Sequence, residues 1–517
     1  MAAAEDAPLL GPRTQPATNS EIRAVILAGL PMLLLTAADG AFMLASFSTI
    51  GSKFGHLDDA PWCIMTYQVG VIIGQSIYSR LSDQYGRKQI MLIAHFLFIV
   101  GSLCAWQAPG FWYIVAARFL VGLGTAGMPL MLNTILNDIC SQSRRSALHG
   151  GVLFGQFLGS IGGGHVLVKY GWRMIFQCEF IWALLSFAVL CWFLPATKLD
   201  YLPAQCNIGG AFVLALSLVC LVVCLDNDFV AFWVPLALCI AAALAFSWLE
   251  RHATVSLVPW GRLQDRAMMY VIGIAPITAF IDMPILNLVP YYVQASRLGS
   301  TVTIGSLNMT FTVAEIFGHL LCSLIRRDRH VFIASRGLSA LSVGMLLINK
   351  GWVRGLGLIL AGLASALANG TSMTMIMRYT DVKGIKRGKP ESRQGENDLT
   401  LSIDRCILYG IYHLVISIGN LLAQSMIIWM LQGLIARNIR SSLDHEFPDD
   451  IDKLVEKCLE SFDYINTLPE WLSMSVLQSF LDAIQTCIRY MLAISGMGAL
   501  IAFHYGSQYR KKAREEQ

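Results

Sequence analysis

The stretch YSRLSDQYGRKQI, from Tyr78 to Ile90, decides how the whole chain is read. It is a tight polar turn between two long apolar segments. Asp83, Arg87 and Lys88 fall within six residues of one another, and Gly86 gives the backbone its freedom to turn. The apolar runs on either side are about 20 residues long, the length of a helix that crosses a bilayer. The rest of the 517-residue chain has the same character: 55% of it is hydrophobic and 14% charged, against roughly 25% charged in a soluble domain. Mean hydropathy is +0.57. In lipid every backbone polar group must be satisfied within the protein, which leaves helices or a closed barrel. Barrel strands are about 10 residues long and alternate in polarity, so these longer unbroken runs are helices. The fold class is all-α integral membrane. The 13 cysteines are scattered without a CxxC pair and read as small apolar residues packed between helices rather than metal ligands or disulfides.

Length and apolarity predict about fourteen spans, near 24–48, 61–80, 89–107, 111–137, 147–168, 173–195, 206–225, 229–249, 268–294, 302–325, 331–349, 355–378, 405–432 and 484–505. The connecting loops alternate in basic content. One set holds Arg80, Arg87 and Lys88, then Arg144 and Arg145, then Arg326, Arg327 and Arg329, then Lys383 to Arg393; the other set is sparse. The positive-inside rule puts the rich set in the cytosol, and both termini with it. The spans group as six, two and six. The expected parts are a cytosolic tail at 1–23, a six-helix bundle at 24–195, an inserted helix pair with its linkers at 196–266, a second six-helix bundle at 267–505, and a cytosolic tail at 506–517. Within the second bundle, the basic polar segment 381–404 reads as a disordered cytosolic loop. The acidic segment 437–481 falls on the luminal side. There Ile451, Leu454, Val455 and Leu459 recur at helical spacing, so an amphipathic helix lying on the membrane surface is expected.

The turn itself resembles the signature loop of the major facilitator superfamily, G-x-L-a-D-r-x-G-r-k. Asp83, Gly86, Arg87 and Lys88 match, and Ser79 stands where the first glycine is expected. In span four, Arg118 opens RFLVGLGTAGMP, similar to the second motif of the fourteen-helix drug:proton antiporter group. In span five, Gly155, Gly159, Gly162 and Gly163 resemble the antiporter motif g-x-x-x-G-P-x-x-G-G, with Ser160 in place of the proline that would kink the helix. Gly171-Trp172-Arg173 followed by Phe176 is similar to the start of that group's sixth helix. The resemblance implies a secondary transporter whose two bundles rock about a midplane site, with the loop and the span-five glycines serving the conformational change.

An ionisable side chain inside a span costs roughly 2.5–3.5 kcal/mol on insertion scales, so each one is a candidate for function. Asp39 lies midway along span one, where the antiporter group carries an aspartate, and the resemblance implies that it binds the proton or a cationic solute. Arg118 cannot release a proton at physiological pH, but it can act on a partner carboxylate; Asp39 is the candidate partner. Asp282 sits in the middle of the ninth span, where Pro284 and Pro290 free nearby backbone carbonyls that can help coordinate a cation. Glu315 and His319 are four apart, hence on one helix face, and such a pair can pass a proton. Each of these also has a plain reading as a packed polar group or structural ion pair. Intramembrane Asp39, Asp282 and Glu315 outnumber Arg118, read as the single deep basic residue, which favours a cationic solute.

Within the superfamily the chain is closest in appearance to the fungal vacuolar basic amino acid transporters, through Ala38-Asp39-Gly40 and a short tail in which Glu5, Leu9 and Leu10 resemble an acidic dileucine sorting signal. That resemblance implies import of lysine, arginine and histidine into the vacuole in exchange for protons. Expected partners are a small cationic solute, protons, the lipid bilayer and a sorting adaptor at the tail, and nucleic acid is not among them. No cofactor or metal is expected, the proton gradient being the driving force. A plasma-membrane drug:proton antiporter, a siderophore transporter and a non-transporting nutrient sensor are the alternatives. An enzyme is not expected, because no nucleophile elbow, phosphate loop or metal spacing is present.

Overall fold

The computed structural model describes residues 19–139, 155, 159, 165–194, 208–226, 233–252, 266–297, 301–324, 328–348, 350–387, 394–443 and 451–515. Among these residues there is no strand. The helices are α1 (Asn19–Phe54), α2 (Trp62–Tyr85), α3 (Arg87–Trp106), α4 (Phe111–Ile139), α5 (Trp172–Phe193), α6 (Ile208–Asp226), α7 (Trp233–His252), α8 (Arg266–Ala295), α9 (Thr301–Leu324), α10 (Asp328–Leu346), α11 (Gly351–Arg387), α12 (Gln394–Leu443), α13 (Ile451–Glu460), α14 (Phe462–Thr467) and α15 (Glu470–Glu515). Eight helices among the described residues are long and apolar enough to cross a membrane on those grounds alone; the chain is a multi-pass membrane protein. Helices α2, α8 and α9 fall outside those eight, and all three carry polar side chains that face a central cavity.

The packing repeats. Helix α1 contacts α4 and α5 as α8 contacts α11 and α15. Helix α2 pairs with α4 as α9 pairs with α11, and α3 touches α4 and α5 as α10 touches α11 and α15. Two halves of similar design therefore face each other, with Asp39 in α1 and Asp282 in α8 on corresponding helices. Glycines set the close helix contacts. A Cβ on Gly124 would stand 2.6 Å from the Phe98 amide nitrogen, and Cβ atoms on Gly155 and Gly159 would stand 2.7 and 2.6 Å from the carbonyl oxygens of Leu34 and Ala38. In the second half Gly419 makes the matching approach, 3.0 Å from the Pro276 Cα. Small residues let backbones come this near, which is how helices gain van der Waals contact in lipid.

Helices α2 and α3 are separated by one residue, Gly86, at φ +88° and ψ 146°. Only glycine adopts this backbone without strain. Arg87 is buried directly behind it, and the Lys88 ammonium donates to the Leu194 carbonyl at the end of α5. Asp83 lies in the last turns of α2, and its side chain is outside the described ones. Gly162, Gly163, Glu5, Leu9 and Leu10 also lie outside the described residues.

Two expectations need correction. The segment 381–404 is not an open loop over most of its length: α11 continues to Arg387 and α12 begins at Gln394. Its Lys, Arg, Glu and Gln are good helix formers, and the first strong breakers after Gly384 are Gly388 and Pro390. In the segment 437–481, α13 forms at the expected spacing but does not rest on a membrane surface. Ile451, Val455 and Cys458 are buried against the protein, and the Glu460 carbonyl accepts from the Leu57 amide at 2.9 Å. Its apolar face finds a better partner in the two halves than in lipid headgroups.

That contact belongs to a closed end of the molecule. Around the α1–α2 connection, Gln432 donates to the Asp58 carbonyl at 2.6 Å, Gln294 donates to the Ser48 hydroxyl at 2.9 Å, and Ser52 and Ser461 share a hydrogen bond of 3.1 Å. Phe47 and Tyr291 meet edge to face across the halves, with ring centroids 6.0 Å apart. Burial, then the charge of Asp59, raises the Asp58 carboxyl above its usual range. An acid held high when folded binds its proton more tightly in that state, so the contribution of Asp58 opposes folding as pH rises above the ordinary carboxylate range and the opposition is relieved as pH falls.

Substituting Gly86→Ala forces a side chain into a backbone region that costs about 1–3 kcal/mol. We expect a lower unfolding temperature in detergent for Gly86→Ala, with Gly40→Ala as control, since a Cβ at Gly40 meets nothing within 4 Å. Equal unfolding temperatures would contradict the strain.

Candidate functional site

The site is built on three helices of the first half and four of the second. Asp39 is wholly buried in α1 and Arg118 is 1% exposed in α4. The Arg118 guanidinium donates through one terminal nitrogen to one carboxylate oxygen of Asp39, and through the other to the second oxygen at 3.2 Å. This fork-on-fork geometry is the strongest form of such a pair. The face of Tyr67, from α2, covers the guanidinium at 4.6 Å from the ring centroid. The sequence-level expectation of an Asp39–Arg118 partnership is thus met in geometry.

A cavity of about 360 Å³ lies between the halves, within the roughly 300–1,000 Å³ range of small-molecule sites. Arg118, Tyr67 and Gln75 face it from the first half; Asp282, Glu315 and Gln424 face it from the second. Asp39 does not line it. It sits one layer behind, screened by Arg118, so a solute in the cavity meets Arg118, Asp282 and Glu315 before it can meet Asp39. Asp282 accepts a hydrogen bond of 2.7 Å from Ser365, and Ser365 in turn accepts from Asn369 at 3.4 Å. Asn308 is 3% exposed with both amide atoms unpartnered, and the Gln424 carbonyl oxygen is unpartnered too. Both line the cavity, where buried polar groups of this kind call for a ligand's hydrogen bonds. Ser417 of α12 donates to Gln75 of α2 at 3.2 Å, joining the two walls.

His319 shares α9 with Glu315 but stands a turn away from the cavity, near the backbone of Gly370 in α11; it does not line the cavity wall. Arg118 is not the only deep cation. Arg336 in α10 is 2% exposed, donates to the Thr278 hydroxyl at 2.6 Å, and lies within electrostatic range of Asp282. Glu179 in α5 is 1% exposed and stands within electrostatic range of both Asp39 and Arg118. His95 in α3 is buried against the Ala183 carbonyl at 3.0 Å and Ser186 at 2.9 Å. Sequence reasoning missed all three. Each interrupts an apolar helix, which is the signal that exposed Asp39.

Comparison with known proteins agrees with this architecture. The family model described as Major Facilitator Superfamily matches residues 30–424. The chain is 23% identical over 478 residues to the multidrug resistance protein fnx1 of Schizosaccharomyces pombe, covering 87% of this chain and 86% of that one. It is 22% identical over 328 residues to the vacuolar basic amino acid transporter 1 of Saccharomyces cerevisiae, covering 60% and 58%. Among solved structures, the bacterial homologue of the human lysosomal transporter Spinster, inward-facing and occupied, aligns with a TM-score of 0.61 at 13% identity, covering 96% of this chain and 99% of that one.

Removing one partner of a buried ion pair costs about 3–5 kcal/mol, whereas replacing both with apolar groups is often close to neutral. Arg118→Leu alone should therefore lower the unfolding temperature strongly, and Asp39→Leu combined with Arg118→Leu should recover most of the loss. Additive losses in the double variant would contradict a pair that acts as a unit.

Proposed function

The chain belongs to the major facilitator superfamily, and from that premise we propose that it is a proton-coupled carrier of basic amino acids. It spans the vacuolar membrane about fourteen times, with both termini in the cytosol, and moves lysine, arginine and histidine into the vacuole against protons. The observation that carries this reading is the charge pattern on the cavity wall: two carboxylates, Asp282 and Glu315, stand with one guanidinium, Arg118. A lysine or arginine molecule presents the complement, two cationic groups and one carboxylate. Carboxylates in a low-dielectric cavity hold either a proton or a solute cation, because an unpaired buried charge is costly. Loading the solute on Asp282 and Glu315 therefore expels a proton, and loading a proton expels the solute. That competition is what antiport requires.

The two halves act as rocking bodies. The hydrogen bonds among Ser48, Gln294, Asp58 and Gln432 hold one end shut. By the distribution of lysine and arginine this is the luminal end, and on this reading solute enters the cavity from the cytosol. The Gly86 turn, Arg87 and Lys88 lie at the opposite end of α2 and tie α3 to α5, where they govern how that end opens. The N-terminal tail directs the protein through Glu5, Leu9 and Leu10.

A multidrug:proton antiporter is the second reading, favoured by the name of the fnx1 relative, which matches most of both chains. The guanidinium on the wall separates the two. A lipophilic drug cation has no use for Arg118, whereas an amino acid carboxylate does.

The test is ATP-driven uptake of labelled lysine, arginine and histidine into vacuolar vesicles with and without the protein, a protonophore serving as control. We expect gradient-dependent uptake that needs the protein, and its loss in Asp282→Asn and Glu315→Gln. Vesicles that contain the protein and take up no basic amino acid, but clear a cationic dye, would overturn the amino acid reading in favour of the drug reading.

A further inference from the structure

Glu179 has no place in the cavity wall, yet it is among the most deeply buried carboxylates of the described residues, 1% exposed in the middle of an apolar helix. Neither of its carboxylate oxygens has a hydrogen-bond partner. An ionised carboxylate does not persist in that setting without a paired cation. The cation whose charge acts on it is Arg118, and both terminal nitrogens of Arg118 are engaged by Asp39. One positive charge is thus shared between two buried acids, which leaves one proton to be held by the trio. The groups around Glu179 are Asp39 from α1, Tyr67 from α2 and Arg118 from α4, whose charges act on it or are acted on by it. From α3, His95 meets α5 farther along, at Ser186, and Cys178 is its neighbour on α5 itself.

The geometry points to Glu179 as a proton store that trades its proton with Asp39 as Arg118 moves from one carboxylate to the other. With Arg118 on Asp39, as seen here, Glu179 is the group that holds the proton. In the alternative arrangement Arg118 pairs with Glu179, and the proton that leaves Glu179 sits on Asp39. Nothing else changes: one carboxylic acid, one carboxylate and one guanidinium are present in both, and the net buried charge is the same. Such an exchange has two discrete states with no uncompensated charge in either. Because Arg118 screens Asp39 from the cavity, its departure opens Asp39 to cavity water, where the proton can be released or collected. The Nε of Arg118 is unpartnered and Tyr67 lines the cavity beside it, so the guanidinium has room for new contacts as it moves. Solute displaces a proton from Asp282 and Glu315, and the trio on the first half takes up that proton from cavity water and returns it, so both halves serve one exchange. This inference rests on the reading of the chain as a proton-coupled transporter.

The experiment uses the full chain in liposomes with labelled lysine. A gradient of one pH unit drives about tenfold accumulation of a monocation exchanged for a proton. The wild type should reach that accumulation. Glu179→Gln should accumulate none while retaining lysine–lysine exchange, a step that needs no change in protonation. Glu179→Asp keeps an acid and should retain coupled accumulation. The infrared spectrum of the wild type should carry the carbonyl band of a buried protonated carboxyl group that Glu179→Gln lacks and Glu179→Asp shifts. Coupled accumulation by Glu179→Gln, or equal loss of accumulation and exchange, would overturn the proposal. Should Glu179→Gln not fold, a band that Glu179→Asp leaves unmoved overturns it. If the wild type itself accumulates no lysine, the transport reading fails, while the infrared band still decides whether Glu179 holds a proton.

Discussion

A buried guanidinium must be paired, and the pairing of Arg118 with Asp39 organises the first half of this protein. It requires α4 to present Arg118 where α1 presents Asp39. That placement is possible because glycines bring the helices together: Gly122 and Gly124 seat α4 against α2 and α3, and Gly155 and Gly159 seat their segment against α1 at Leu34 and Ala38. The ring of Tyr67 then closes one face of the guanidinium. Desolvating two charges costs several kcal/mol for each ion, so the pair is poor evidence of stability for its own sake. It is better understood as an element held ready to change partners.

The second half repeats the plan with different chemistry. Asp282 occupies the helix that corresponds to that of Asp39, but it faces the cavity and accepts from Ser365 instead of an arginine. Its cation, Arg336, stands back on Thr278. The first half therefore hides its acid behind its base, and the second half shows its acid to the solute. One superfamily plan yields both a wall that recognises a cation and an inner pair screened from it.

Much of this was legible in the sequence. The apolar run lengths and the turn at Gly86 lead to the helices with ends that agree within a few residues for most spans, because bilayer thickness constrains length. Asp39, Arg118, Asp282 and Glu315 stood out because ionisable groups in lipid are costly. The same cost should have exposed Glu179, the one acid within WRMIFQCEFIWALLSFAVLCWF, but its helix was read through the Gly171-Trp172-Arg173 resemblance instead. Arg336 lies near the start of its helix, seven residues after Arg329, where a basic residue reads as part of the cytosolic boundary. Burial, facing and distance are tertiary quantities. No spacing along the chain says that Arg118 stands between Asp39 and the cavity, or that His319 points away from it. Residues 381–404 depart from a disordered loop because lysine, arginine and glutamate extend a helix beyond the membrane as readily as they solvate a loop.

The central claim is that a cationic amino acid and protons compete for the same buried carboxylates. Calorimetric titration of lysine into the purified wild-type protein, over a range of pH and in buffers of different ionisation enthalpy, tests it most directly. The account predicts that lysine binding weakens as pH falls and releases protons to the buffer as it occurs. Lysine binding of equal affinity across that range, with no proton released, would contradict it.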